Sequence, residues 1–186
     1  MSNVLEALKN VLLSYVDNEP KPPLHVGEAM ACWTYLAVMN EAISFEECTF
    51  HMTRDPELKK AIQDGIKMCA SQSGRMETFM RREGIELPAG SQHKPQSDPQ
   101  AVPSGAKLTD DEIANAMSIK VGAAVMACAN AAVQSIRNDV GQMWIEFQAE
   151  QLVYGATLKT LMRKRGWLKV PPPYIPPGMP TSSNRD

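Results

Sequence analysis

No histidine in this chain stands three residues after a glutamate, and there are only three histidines, His25, His51 and His93. The paired Glu-x-x-His motifs with which helical proteins assemble di-metal centres are therefore missing. Cysteine is almost as scarce. Cys32, Cys48, Cys69 and Cys128 include no close pair, which excludes a zinc knuckle or a redox dithiol motif and leaves buried free thiols as the expectation. Glycines occur singly, so no phosphate-cradling loop is present. No serine or cysteine has a histidine at the spacing that would support a nucleophile. Charge of one sign is lacking too: a net charge of -2 and a pI near 6.0 give no field to hold nucleic acid or an anionic membrane surface. No uninterrupted apolar run reaches the ~20 residues of a membrane span, so no membrane insertion is expected. Residues 1–16 mix acidic and basic side chains among leucines, without a basic leader or small-residue cleavage site. A cytoplasmic location is the corresponding expectation.

What is present is helical spacing. Ser2 can cap a short leading helix in which Leu5, Leu8, Leu12 and Val16 recur, before residues 17–23 break the pattern. A first long helix is expected over residues 26–53, with a stripe of Ala29, Trp33, Leu36, Met39, Ile43 and Phe50. Asp55 and Pro56 then supply an N-cap acceptor and a proline at the first helical position. They open a second helix, residues 56–83, that runs through Leu58, Ile62, Gly65, Cys69, Met76 and Phe79 to a left-handed cap at Gly84. Residues 85–108 turn to Pro88, Gly90, Pro95, Pro99, Pro103 and Gly105 and read as linker. Thr109 and Glu112 form a capping box for a third helix, residues 109–136, along Ile113, Met117, Ala124, Cys128 and Ala131. Asn138 and Asp139 read as the next turn or cap. The fourth helix, residues 139–165, carries Val140, Trp144, Phe147, Gln151, Tyr154, Leu158 and Leu161 up to Gly166.

Short connections make the first and second long helices antiparallel, and likewise the third and fourth. A helix of about 28 residues is ~42 Å long, which at least ~12 extended residues can cross. The linker has about twice that, so the second and third helices can lie parallel. With 186 residues and 44% hydrophobic content one core is expected. The fold class is all-α: a ferritin-like four-helix bundle of two antiparallel hairpins joined by a long crossover. The leading segment (residues 1–19) precedes the bundle (24–168), and a Pro-rich tail (169–186) follows in extended polyproline form. Gly122, Ala123, Ala124, Ala127, Ala129, Ala131 and Ala132 are expected to let the fourth helix approach the third closely. Lys120, Asn130 and Gln134 argue against reading them as a membrane dimer motif.

Such a bundle could hold chemistry at its middle. There the second helix offers Cys69, Gln72 and Ser73, the third offers no acid beyond Glu112, and the fourth offers Glu146 and Glu150 at i,i+4. Glu47 and His51 are also i,i+4, a spacing that can bind a single metal ion and that equally describes an ordinary pair at a helix end. No catalytic, cofactor-binding or metal residue, and no cofactor, is therefore expected. The alternative is a metal-dependent oxidoreductase or metal-binding protein holding iron, manganese or zinc on Glu46, Glu47, His51, Glu146 and Glu150. Asn40, Gln72, Gln134 and Gln151 are placed either in an inward hydrogen-bonded network or at the bundle edge. The twelve methionines read as gap-fillers, with a small apolar ligand between loosely packed helices as a further alternative.

The stretch LTDDEIANAMSIKVGAAVMACANAAVQSIRNDVGQMWIEFQAEQLVYGATLKTLMRKRGWLKVPPPYIPPG, with LHVGEAMACWTYL and RREGIELPAG before it, resembles an uncharacterised ferritin-like family of endospore-forming bacteria related to spore coat protein F. The resemblance spans residues 24–178. It implies a four-helix bundle whose di-iron ligand set is incomplete, an association with the spore, and no established enzymatic activity. The resulting expectation is a non-catalytic structural or interaction protein with a degenerate di-metal site. Its expected partners are a second copy of itself or other proteins, through the leading helix and the proline tail.

Overall fold

Five helices order the residues that the computed structural model describes, namely 3–14, 20–95, 97–98, 100–174 and 176–177. They are α1 (Val4–Ser14), α2 (Val26–Phe50), α3 (Pro56–Arg82), α4 (Asp110–Gln134) and α5 (Asn138–Arg165), and no strand occurs among the described residues. The tightest packing joins α2 to α3 and α4 to α5, and the two hairpins meet along α2 with α4 and α3 with α5. Ser2 and Val16, read above as the cap and last apolar position of the leading helix, lie outside the described residues. So do Ile175 and residues 178–186 of the tail.

Local chemistry sets the helix ends. His25 Nδ1 accepts the backbone N–H groups of Gly27 (3.0 Å) and Glu28 (3.4 Å), while Glu28 Oε2 accepts that of His25 (3.1 Å), a capping box with histidine at the N-cap. Asp55 Oδ1 accepts from Glu57 and Leu58 at 2.8 and 2.9 Å, ahead of Pro56. Thr109 and Glu112 close the expected capping box. Gly84 and Gly166 take φ of 73° and 72°, and the following N–H groups, of Ile85 and Trp167, reach back to Met80 O and Met162 O at 2.9 Å. Both are Schellman endings, which need the left-handed conformation that glycine adopts at little cost.

Several expectations need correction. The first long helix ends at Phe50 rather than residue 53, because Thr53 is buried and its Oγ1 accepts the Asp55 N–H (3.1 Å), turning the chain into α3. The third stops at Gln134, with Ser135 already extended (ψ 130°). Asn138 and Asp139 do not cap α5. Its N-terminal position is Arg137, whose side chain makes no capping bond; Glu28 of α2 instead accepts the N–H groups of Ile136 and Arg137 at 2.8 and 2.9 Å. The stripe drawn on the first long helix is also rotated: α2 buries Cys32, Tyr35, Leu36, Met39, Ala42, Glu46 and Thr49, while Trp33 is 42% exposed. Apolar residues surround α2, so periodicity prefers no face. On the other three helices the expected stripes are the buried ones.

The core falls into two apolar clusters, one toward each end of the bundle. One gathers Cys32, Tyr35, Leu36, Met76, Trp144 and Phe147, with Tyr35 edge-on to Trp144 (5.1 Å) and stacked on Phe147 (5.7 Å). The other gathers Leu58, Ile62, Ile113, Met117, Tyr154 and Leu158. The small residues of α4 divide: Ala124, Cys128, Ala131 and Ala132 are buried as expected, but Gly122, Ala123 and Ala127 face outward. By length and composition α4 could cross a membrane, with 28% of its most apolar window buried.

Candidate functional site

Between the two apolar clusters the four long helices send polar side chains to one level. Glu46 comes from α2, Cys69 and Gln72 from α3 at i,i+3, Lys120 from α4, and Gln151 and Tyr154 from α5 at i,i+3. One residue from each of two helices, and an i,i+3 pair from each of the other two, is the layout of a di-metal carboxylate centre in a four-helix bundle. Here the residue types differ. Glu46, Cys69, Gln72 and Gln151 are fully buried, and Tyr154 is nearly so.

Lys120 Nζ contacts Glu46 Oε1 and lies 3.6 Å from Cys69 Sγ. Beside them Tyr154 Oη donates to Ala61 O at 2.9 Å. Space for this cluster comes from Gly65, where a Cβ would stand 2.7 Å from Tyr154 Oη and 3.0 Å from both Glu46 carboxylate oxygens. One helical turn away, Gln72 Oε1 accepts from Tyr35 Oη (2.7 Å) and Gln151 Nε2 (3.0 Å), and Gln72 Nε2 donates to Glu150 Oε2 (2.8 Å) and Phe147 O (3.2 Å). All four hydrogen-bonding positions of that amide are used. Arg75, lying 4.6 Å over the Phe147 ring, holds both Glu150 oxygens at 2.7 and 2.5 Å.

The electrostatics follow from burial. Loss of water pushes the Glu46 carboxyl above its ordinary value, and the charge and hydrogen bond of Lys120 oppose that shift. Burial pushes the Cys69 thiol up to about 11, against the nearby Lys120 charge, and the Cys128 thiol also to about 11. Burial, with the Glu46 charge behind it, raises the Tyr154 hydroxyl above its usual range. Glu46 Oε2 and Gln151 Oε1 are buried without a hydrogen-bond partner among the described residues.

This donor set does not fit a di-metal centre. It has one carboxylate, and a lysine cation already occupies it, where two metal ions would need several anionic ligands and no competing charge. Among the described residues no three His, Cys, Asp or Glu side chains converge. The residues named for the alternative site are dispersed. Glu47 turns to the crossover, accepting from Lys94 N (2.8 Å) and pairing with His93 Nδ1 (2.7 Å). His51 ends α2, edge-on to Phe50. Glu146 lies 4.0 Å from Arg75 and bonds Gln142, whereas Glu150 belongs to the Gln72 network. Of the four amides, Gln72 and Gln151 point inward, Gln134 is exposed on Asn130 (3.2 Å) and Asn40 is half-buried. Lys120 is what sequence reasoning missed: a lone cation in an alanine-rich helix reads as an interruption. Its spacing from buried Met117, Val121 and Ala124 puts it near the inner face, which is the signal that could have found it.

Residues 16–179 match the family described as a protein of unknown function, DUF3231. An uncharacterized Bacillus subtilis protein, YvdQ, is 28% identical over 156 residues, 84% of this chain and 91% of that protein. The crystal structure of a candidate spore coat protein from Bacillus halodurans superposes with a TM-score of 0.81 at 30% identity, over 83% of this chain and 98% of that one. An Anabaena variabilis protein with DJ-1/ThiJ/PfpI-like and ferritin-like domains shares the fold at 16% identity and a TM-score of 0.60, over 82% of this chain and 41% of that one.

Proposed function

This chain belongs to the DUF3231 family, and from that premise we propose that it is a non-catalytic bundle protein of the spore, a structural or interaction component whose di-metal position is closed by an internal ion pair. The observation that carries the reading is Lys120 on Glu46, midway along the bundle. A cation there neutralises the one buried carboxylate of the layer and joins the hairpins through α4 and α2, which fixes how the two helices align rather than binding a ligand. The spore assignment leans on the Bacillus halodurans relative described as a candidate spore coat protein.

Its proposed partner is a second copy. On α4, Ile119, Met126 and Val133 are 74%, 68% and 86% exposed. With Gly122 and Ala129 they follow a heptad spacing suited to a second helix. The open groove between α2 and α4, about 500 Å³, continues that surface with Met30, Val38, Ala123 and Ala127. Two measurements test the closed centre and the spore assignment. Protein purified after growth with iron, manganese and zinc should contain metal far below one ion per chain; one or two per chain would overturn the closed-centre reading. A tagged copy expressed in a sporulating Bacillus should be recovered in the extract of purified spores, and its absence from that fraction would remove the spore assignment.

A further inference from the structure

Of the four free cysteines, Cys69 is the one with an amine against it: Lys120 Nζ lies 3.6 Å from its sulfur, with the Glu46 carboxylate in contact on the other side. The thiol itself is fully buried, so exchange with an outside disulfide is sterically closed. Burial also keeps it protonated, which removes ordinary thiolate chemistry. What remains within reach of Cys69 is a small oxidant and Lys120. The lysine side chain keeps 14% of its surface exposed, and the open α3/α5 groove, about 470 Å³, runs to Tyr154 beside the cluster. Dioxygen is small and apolar enough to enter by either route.

The geometry points to a redox modification site in which Cys69 and Lys120 are joined through one oxygen atom, S–O–N, linking α3 of one hairpin to α4 of the other. Dioxygen is the oxidant. The extra proton of the ammonium passes to the Glu46 carboxylate. The thiol then loses its hydrogen, the free amine loses one hydrogen, and S–O and O–N bonds form to one oxygen atom. The other oxygen leaves as water with those two hydrogens, so four electrons move from sulfur and nitrogen to dioxygen. A one-atom bridge suits a 3.6 Å separation better than a direct S–N bond. It also leaves the layer neutral, since Glu46 carries the proton that Lys120 gave up. Once the chain is unfolded, two equivalents of a dithiol supply the four electrons that return thiol, amine and water, which makes the link reversible, unlike the sulfinic and sulfonic acids. This inference stands whether or not the chain is a spore component.

The test uses the full chain, prepared anaerobically with dithiothreitol and then held in oxygen-saturated buffer. The intact mass should rise by one oxygen less two hydrogens and return on adding dithiothreitol to the unfolded protein. Peptide mapping should recover an α3 peptide joined to an α4 peptide through Cys69 and Lys120. Cys69→Ser, a small change in a buried position, should abolish the shift. An unchanged mass, additions of whole oxygens without a joined peptide, or a joined peptide that persists in Cys69→Ser would each overturn the proposal. Because the mapping is done on the unsubstituted protein, the outcome does not depend on a variant folding.

Discussion

Lys120 and Glu46 form a buried pair, and such pairs are asymmetric: removing one member leaves an uncompensated charge, whereas replacing both can be nearly neutral. Lys120→Met is therefore expected to cost about 3–5 kcal/mol, and Lys120→Met with Glu46→Gln appreciably less than the sum of the singles. A double-mutant cycle by urea denaturation measures the difference; strict additivity would show the pair to be uncoupled. The same scale explains why the site was hard to read. Charge counting finds Lys120 but cannot tell that its side chain turns inward, and the contact spans 74 residues of sequence. Gln72 and Gln151 fall on otherwise apolar faces, yet the sequence leaves them, like Asn40 and Gln134, between an inward network and the bundle edge. Their bond to each other was not legible either, since register between hairpins is a tertiary property.

A second ionic centre ties the ends of α3 and α5. Arg137, buried, holds Glu83 at 2.6 Å and Asp139 at 2.8 Å, with Lys21 also on Asp139. The hydrogen bond from Arg137 is the main cause that depresses both carboxyls below their ordinary values of 4.5 and 3.8. Groups with lowered folded values contribute stability above the unfolded values and lose it as pH falls through the folded ones. The urea midpoint should thus be flat near neutrality and drop below pH 4.5, and the drop should be shallower in Arg137→Met. Equal slopes in the two proteins would assign the acid response to other carboxylates.

At the scale of elements, caps decided most of what the sequence could tell. Asp55-Pro56, the Thr109/Glu112 box and the two glycine endings are written within a few residues of each boundary, so both ends of α3, the start of α4 and the end of α5 were readable. The start of α5 was not, because the chain just before it is anchored from another helix, Glu28 accepting the N–H groups of Ile136 and Arg137. Glu28→Ala removes the acceptor of Ile136 and Arg137 together with half of the His25 capping box. It should destabilise by about 2 kcal/mol, the range for hydrogen bonds to a charged group. Gly166→Ala, forced to φ 72°, should cost about 1 kcal/mol. Thermal unfolding of both variants checks the order, Glu28→Ala being the more damaging.

For the whole molecule, the crossover is held to α2 by Ser91 on Glu41 (2.8 Å) and by His93 and Lys94 on Glu47. These contacts are at the surface, where ion pairs contribute little to global stability. Glu47→Gln with His93→Ala should leave the thermal midpoint nearly unchanged while limited proteolysis within residues 88–108 speeds up several-fold. An unaltered cleavage rate would mean the crossover is secured by other contacts. The apolar outer face of α4 supplies the second test at this scale: Ile119→Lys with Val133→Lys should convert an oligomer to a monomer without loss of helicity, read by light scattering. A monomeric parent protein would refute the self-association outright.

The polar layer between two apolar clusters also bears on alternatives the chain must avoid. Leucine, methionine and alanine surfaces pack acceptably after sliding by one turn, so apolar clusters alone would tolerate several offsets between the hairpins. Slide one hairpin by a turn and Glu46 loses Lys120, Gln72 loses Gln151 and Glu150, and several buried polar groups are stranded at once. The layer therefore works as a vernier, penalising every misaligned docking while adding little to the aligned one, so that one arrangement is selected from many of similar hydrophobic content.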